Sequence, residues 1–266
     1  MQHRRQTYRR IVSLTPSITE TLFALGLGDR VIGVTDTCDY PVEASAKPHV
    51  TSWFDPDPER IRALGPDLIL GLESVHQRLK PVLEQTVPGV EVILTMPTSV
   101  NEALEAIRTF GKLFHATDEA ERLLAGLRQR LERVDAAVGR LPWTERLTVS
   151  RVLEWKGEEL LVAGPHSFQY DVILRAGGRT VTSGISEAYP RVSMSRFLEW
   201  DPDVVFFCGY DRRFIPRLKE HPRWKQFKAV ATNRVFMFDC NLTCRTGPRI
   251  VDMVELLYHT LYADGS

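Results

Sequence analysis

Neither sign of charge is in excess in this chain. Its 34 Lys and Arg meet 34 Asp and Glu, so the formal net charge at pH 7 is zero. That balance gives no electrostatic footprint for nucleic acid or an anionic membrane. Cysteine is scarce: Cys38, Cys208, Cys240 and Cys244 are the four in 266 residues, and no two form C-x-x-C. A disulfide-built scaffold is therefore excluded, and the Cys240/Cys244 spacing alone is too weak a signal for a metal site, so none is expected. Cys208 closes the apolar run Asp203-Val-Val-Phe-Phe-Cys and reads as a buried strand thiol. No apolar run approaches the length of a transmembrane helix.

Catalytic signatures are missing too. His49, His76, His115, His166, His221 and His259 are scattered without H-E-x-x-H or paired-ligand spacing. No G-x-S-x-G elbow, P-loop or strand-borne G-x-G-x-x-G appears, and Gly26-Leu27-Gly28 follows a helix as a stop. No catalytic residue, no catalytic cofactor and no enzyme activity are expected. Before Arg9-Arg10 there is no signal-type apolar core, and His3-Arg4-Arg5 reads as a solvated tail. As written, the chain is expected in the cytoplasm; with a leader removed, it would be periplasmic or membrane-anchored outside the cell.

What the chain does have is concentrated in residues 9–41, RRIVSLTPSITETLFALGLGDRVIGVTDTCDYP. A short apolar strand from Ile11 meets the turn Thr15-Pro16-Ser17, then an amphipathic helix, a glycine stop and a second strand. Ser17 and Glu20 have capping-box spacing. Such a turn sets backbone N–H groups and small hydroxyls at the carboxyl end of a strand, where open α/β sheets bind ligands.

Further on, apolar residues fall at Ala120, Leu124, Leu127, Leu131, Val134, Val138 and Leu141, alternating steps of four and three. They predict one helix over 117–141, roughly 36 Å long, either a strut between two lobes or a helix packed on one sheet. An internal echo favours the strut. ERIRALGPDLILG (59–71) and SRFLEWDPDVVFF (195–207) both read as a short helix, Pro-Asp, then a strand. TLFALGLGDRVIGV and DVILRAGGRTVTS form a second such pair. The expected fold is α/β, with two Rossmann-like lobes of largely parallel sheet joined by a single long backbone helix. Its parts are a basic tail (1–8), an N-terminal lobe (9–116), the linking helix (117–141) and a C-terminal lobe (142–266).

Loops after the predicted strands gather aromatic and hydrogen-bonding side chains. The candidates are Thr15, Pro16, Ser17, Asp39, Tyr40 and Trp53 in the first lobe. In the second they are His166, Phe168, Tyr189, Asn241 and Arg245, with Trp155 and Tyr210 nearby. Aromatic faces with a few polar groups suit a large, flat, amphipathic ligand such as a corrin or porphyrin ring. Arg245 is placed to meet its carboxylate or amide fringe. His166 is either an ordinary loop histidine or an axial nitrogen for a ligand's metal.

From Arg9 to about Tyr262 the chain resembles the helical-backbone solute-binding proteins of ABC importers, through the 9–41 stretch and later motifs in the family's order. Asp39-Tyr40-Pro41 and Trp53 resemble its cobalamin-binding branch most closely. The resemblance implies a corrinoid ligand held in a cleft between two lobes, a monomer, and an importer permease as partner. It puts Tyr40, Trp53, Tyr189 and the Asn241–Arg245 loop at ligand contacts, with Tyr189 where cobalamin binders have tryptophan. It also implies one permease-docking glutamate per lobe. Those positions fall near Gln77 or Arg78 and on Ser195, leaving Glu73 and Glu199 as the nearest acids. Two alternatives stay open. One is a binding protein for ferric siderophore or haem; the other is a cytoplasmic tetrapyrrole- or metal-cofactor-handling protein in which the four cysteines converge.

Overall fold

The computed structural model describes residues 7–262; His3-Arg4-Arg5 lies outside them. The chain divides into two compact units. One runs up to Pro97 and includes Glu102–Gly126; the other takes Thr98–Asn101 and everything from Leu127 on.

The first unit alternates strands and helices. β1 (Ile11–Ser13), α1 (Pro16–Ala24), β2 (Val31–Val34), α2 (Pro58–Leu64) and β3 (Leu68–Leu72) come first. Then come α3 (Glu73–His76), α4 (Lys80–Thr86), β4 (Glu91–Thr95) and α5 (Val100–Leu113). The sheet order is β2-β1-β3-β4 and every pairing is parallel. Helices on both faces explain why Ile11, Val12, Leu68, Ile69 and Leu70 are all buried without polar alternation. Val12, Leu14, Val50, Ile61, Ile69 and Leu83 make an aliphatic core.

α6 (Thr117–Val138) contributes to both units and joins them. Ala120, Leu124, Leu127, Leu131, Val134 and Val138 are all buried, as the stripe predicts. The helix stops three residues before Leu141, where the N–H groups of Gly139, Arg140 and Leu141 turn back on the last carbonyls.

The second unit holds β5 (Thr148–Lys156), β6 (Glu159–Val162), α7 (Phe168–Arg175), β7 (Arg179–Thr180), β8 (Arg191–Ser193) and α8 (Met194–Trp200). β9 (Val204–Cys208), α9 (Phe214–Glu220), α10 (Lys228–Ala231), β10 (Val235–Phe238), α11 (Cys240–Thr243) and α12 (Ile250–Tyr262) follow. Its sheet runs β10-β9-β5-β6-β8, with β7 beside β5. β5 pairs parallel with β7 and β9 near its start, then antiparallel with β6 near its end. Read through β7-β5-β9-β10, the order repeats β2-β1-β3-β4. Here the core is aromatic: Trp224 is fully buried against Phe197, Phe207 and Phe227.

The echo extends to single hydrogen bonds. α2 and α8 are capped by the side chains of Asp57 and Ser193, and both end on a left-handed residue, Gly65 or Asp201. After each comes Pro-Asp. Asp67 accepts from the N–H groups of Arg9 and Arg10 at 2.8 and 3.0 Å, and Asp203 accepts from the Thr148 N–H at 2.7 Å. Each aspartate thereby ties its own strand to the start of the central one. α1 and α7 both close in a paired turn through Gly26 and Gly177, at φ 72° and 86°.

Three local expectations need correction. Ser17 is not an N-cap: Pro16 fills the first helical position, where its missing N–H costs nothing, so the cap is Thr15. Trp155 lies inside β5, edge-on to His221 and Trp224, and not in a loop. The helix predicted over 117–141 ends at Val138. The antiparallel pairs of β6 and β8, absent from the sequence reading, make the second sheet mixed.

Candidate functional site

Parallel strands deliver their following loops to one edge of a sheet, so each unit has a carboxyl edge where side chains collect. In the first unit this edge is built on hydroxyls. Thr15 and Ser17 are buried and bond to each other at 2.8 Å, while the Thr19 hydroxyl lies at hydrogen-bond distance from Ser13 Oγ, 2.8 Å, and Cys38 Sγ, 3.2 Å. Outside this buried layer, Asp39 and Tyr40 are exposed in the loop after β2.

Trp53 is half-buried, its ring 4.0 Å from that of exposed Phe54. Two devices hold this aromatic pair. Thr51 sits at φ 72°, a conformation β-branched residues resist, and is kept there by donating to the Asp55 carbonyl and accepting from the Asp57 N–H. His76, fully buried, bonds through Nε2 to the Trp53 carbonyl at 2.7 Å and accepts the Leu72 N–H on Nδ1 at 3.0 Å. Both contacts are met by one neutral tautomer, and burial lowers the ring's pKa from 6.5.

The second unit's edge is different chemistry. Arg151, in the middle of β5, is 1% exposed. It donates to Cys208 Sγ at 2.9 Å and to the Val152 carbonyl, and lies over the Phe206 ring. Cys208 ends β9, and Cys240 and Cys244 begin and follow α11. Their three sulfurs lie within 4.8 Å of one another, with Cys208 and Cys244 at 3.3 Å. The hydrogen bond from Cys244 and the charge of Arg151 outweigh burial and hold the Cys208 thiol down to about 7. Its partner Cys244 is pushed up by that bond and by burial, and Cys240 by burial.

Tyr189 is exposed, its hydroxyl donating to Gln169 Oε1 at 3.0 Å, and burial of that hydroxyl with Cys244 nearby raises its pKa. Asp239 caps α11 by accepting from the Asn241 N–H at 2.7 Å, and Asn241 Oδ1 accepts from the buried Arg245 guanidinium.

A family model described as periplasmic binding protein matches residues 11–242 of this fold. The chain belongs to the periplasmic binding protein family. It is a solute-binding protein of ABC-transporter type, not an enzyme. A vitamin B12-binding protein of Yersinia pseudotuberculosis serotype O:3 (strain YPIII) is 26% identical over 204 residues, 77% of this chain and 71% of that protein. A periplasmic haem-binding protein of Pseudomonas aeruginosa is 26% identical with a TM-score of 0.84, covering 97% of this chain and 94% of the other. The periplasmic vitamin B12 binding protein of Vibrio cholerae shares the fold, at 24% identity and TM-score 0.80, over 97% of this chain and 99% of that one. No helix among the described residues is long and apolar enough to cross a membrane.

Within this periplasmic binding protein the predicted residues divide. Asp39, Tyr40, His166 and Tyr189 are exposed; Trp53 and Phe168 are half-buried. The hydroxyls of Thr15 and Ser17 face each other inside the first unit, and Pro16 starts α1. Arg245 is buried and bonded to Asn241, so it braces its own loop and does not present a cation at the surface. Glu73 and Glu199 are both exposed, but Glu73 directly follows β3 whereas Glu199 sits in α8 ahead of β9. They occupy opposite ends of equivalent strands, and Glu199 is paired with Arg196 at 2.6 Å.

Sequence reasoning missed Arg151 and His76; of the four cysteines whose convergence was one alternative, Cys208, Cys240 and Cys244 meet, while Cys38 lies with Thr19 and Thr35 in the first unit. A signal for the thiols was present. Cys208 and Cys240 each follow an apolar strand run, and adjacent parallel strands bring their ends together.

Proposed function

We propose that this solute-binding protein takes a corrinoid, cobalamin or a precursor such as cobinamide, and releases it chemically unchanged. The observation that carries this reading is the Trp53–Phe54 pair, fixed by His76 and Thr51, with Tyr40 exposed in the loop after β2. A held aromatic surface with few charges suits the face of a large flat ring. Tyr189 and Phe168 offer similar surface in the second unit, with Asp39 and Asn241 as polar contacts. Relatives named for vitamin B12 binding, matched over most of their length, support the same choice.

Haem is the second reading. The haem-binding neighbour favours it, and His166, exposed at φ 67° just before α7, offers an axial nitrogen. The family implies an importer permease as partner. Three closely spaced thiols, which an oxidising compartment would drive to pair, favour a reducing one, the cytoplasm; recovery from the periplasm after cell fractionation would contradict that placement.

Titration calorimetry with cobalamin, cobinamide, haem and a ferric hydroxamate siderophore tests the ligand. Saturable binding of either corrinoid at one per chain is expected. Binding of haem alone moves the protein to the second reading, and binding of the siderophore alone removes both.

A further inference from the structure

We propose that Cys208, Cys240 and Cys244 form a binding site for a closed-shell divalent cation of the Zn²⁺ class, with Arg151 as its charge partner. The site follows from topology. Phe238 pairs with Cys208 across β9 and β10, so the chain leaving β10 brings Cys240 beside Cys208 within two residues. α11 then returns Cys244 one turn later on the same face. A cation with metal–sulfur bonds of about 2.3 Å needs sulfurs about 4 Å apart. A triangle with one edge at 3.3 Å and none above 4.8 Å reaches that spacing by side-chain adjustment alone.

Charge selects the ion. Arg151 is buried, its Nε has no hydrogen-bond partner, and among the described residues no carboxylate pairs with it. A buried cation without a counterion is costly, so its partner must be the sulfurs it touches. Three thiolates around a dication leave one negative charge, which the guanidinium cancels. Around a monovalent cation they would leave a further charge uncompensated. Thiolates select soft ions over Mg²⁺ or Ca²⁺. Among the described residues no histidine or carboxylate joins the cluster, so a fourth position is open to water or a small ligand, as in open zinc sites. The inference does not rest on the corrinoid reading.

The test uses reduced, metal-free full-length protein, without corrinoid. Zn²⁺ is titrated in competition with a chromophoric chelator, and thiol alkylation is mapped by mass spectrometry with and without Zn²⁺. One Zn²⁺ per chain is expected, protecting Cys208, Cys240 and Cys244 while leaving the labelling of Cys38 unchanged. Cys240→Ser should abolish competitive binding, and Arg151→Gln should weaken it about 10- to 100-fold. Should a variant fail to fold, the alkylation map of the unaltered protein still decides. Protection of two thiols or fewer, wild-type affinity in Cys240→Ser, or binding of Cu⁺ but not Zn²⁺ would overturn the proposal.

Discussion

The two units share a strand order and differ at the edge where those strands end. Ile11 and Val149 hold equivalent places, each paired with its unit's neighbouring strands on both sides. Two residues on, one unit has Ser13 and the other Arg151. Where β3 ends in Leu72, β9 ends in Cys208. The first unit became a buried hydroxyl layer and a held aromatic pair; the second became a guanidinium bonded to two of three clustered thiols. Repetition of a backbone therefore fixes where chemistry can sit, while individual side chains decide which chemistry it is.

The interiors differ in the same way, and the largest effect comes from testing that. Trp224 touches Phe197, Phe207 and Phe227, so Trp224→Ala should cost about 3–5 kcal/mol in denaturant unfolding. Ile61→Val in the aliphatic core of the first unit should cost only about 0.5–1.5 kcal/mol. Similar losses for both would erase the distinction.

The equivalent aspartates come next. Asp203 accepts from Thr148 twice, at 2.7 and 2.6 Å, and pairs with Lys228, whereas Asp67 takes only two exposed N–H groups. Asp203→Ala should cost about 1.5–3 kcal/mol and Asp67→Ala about 0.5–1.5 kcal/mol. Burial alone would raise the Asp203 pKa, but its bonds to Lys228 and Thr148 lower it from 3.8. The stability it adds is present above pH 3.8 and is lost as pH falls through its folded value. The gap between wild type and Asp203→Ala should therefore close in strong acid; a constant gap would show that the pairing is not the cause.

His76 gives a smaller effect, confined to the first unit. Its folded pKa is depressed, so the unfolded chain binds the proton more readily, and its contribution is complete above pH 6.5. Stability should decline as pH drops below 6.5, and His76→Gln should remove that slope while costing about 1 kcal/mol. An unchanged slope in the variant would assign the decline to other groups.

The comparison also shows what a sequence can carry. The α6 stripe and the helix–Pro-Asp–strand echo were legible because helix period, caps and breakers are local properties. The N-cap of α1 was misplaced by two residues because Pro16 was read as part of a turn and not as the first helical residue. β7 and β8 span only two or three residues, too short for an alternation to register. Arg151 was not legible, and the thiols were only one alternative, because they meet through strand pairings 55 residues apart (Arg151 with Phe206) and 30 residues apart (Phe238 with Cys208). His76 was one of several scattered histidines until the fold set it under Trp53.

The central claim, that the Trp53 surface binds a corrinoid, is tested most directly by titrating wild type and Trp53→Ala with cobalamin and following its visible absorbance. The account predicts saturation at one cobalamin per wild-type chain and affinity weaker by about 1–3 kcal/mol in the folded variant. Equal affinities for the two proteins, or no saturable binding to wild type, would contradict it.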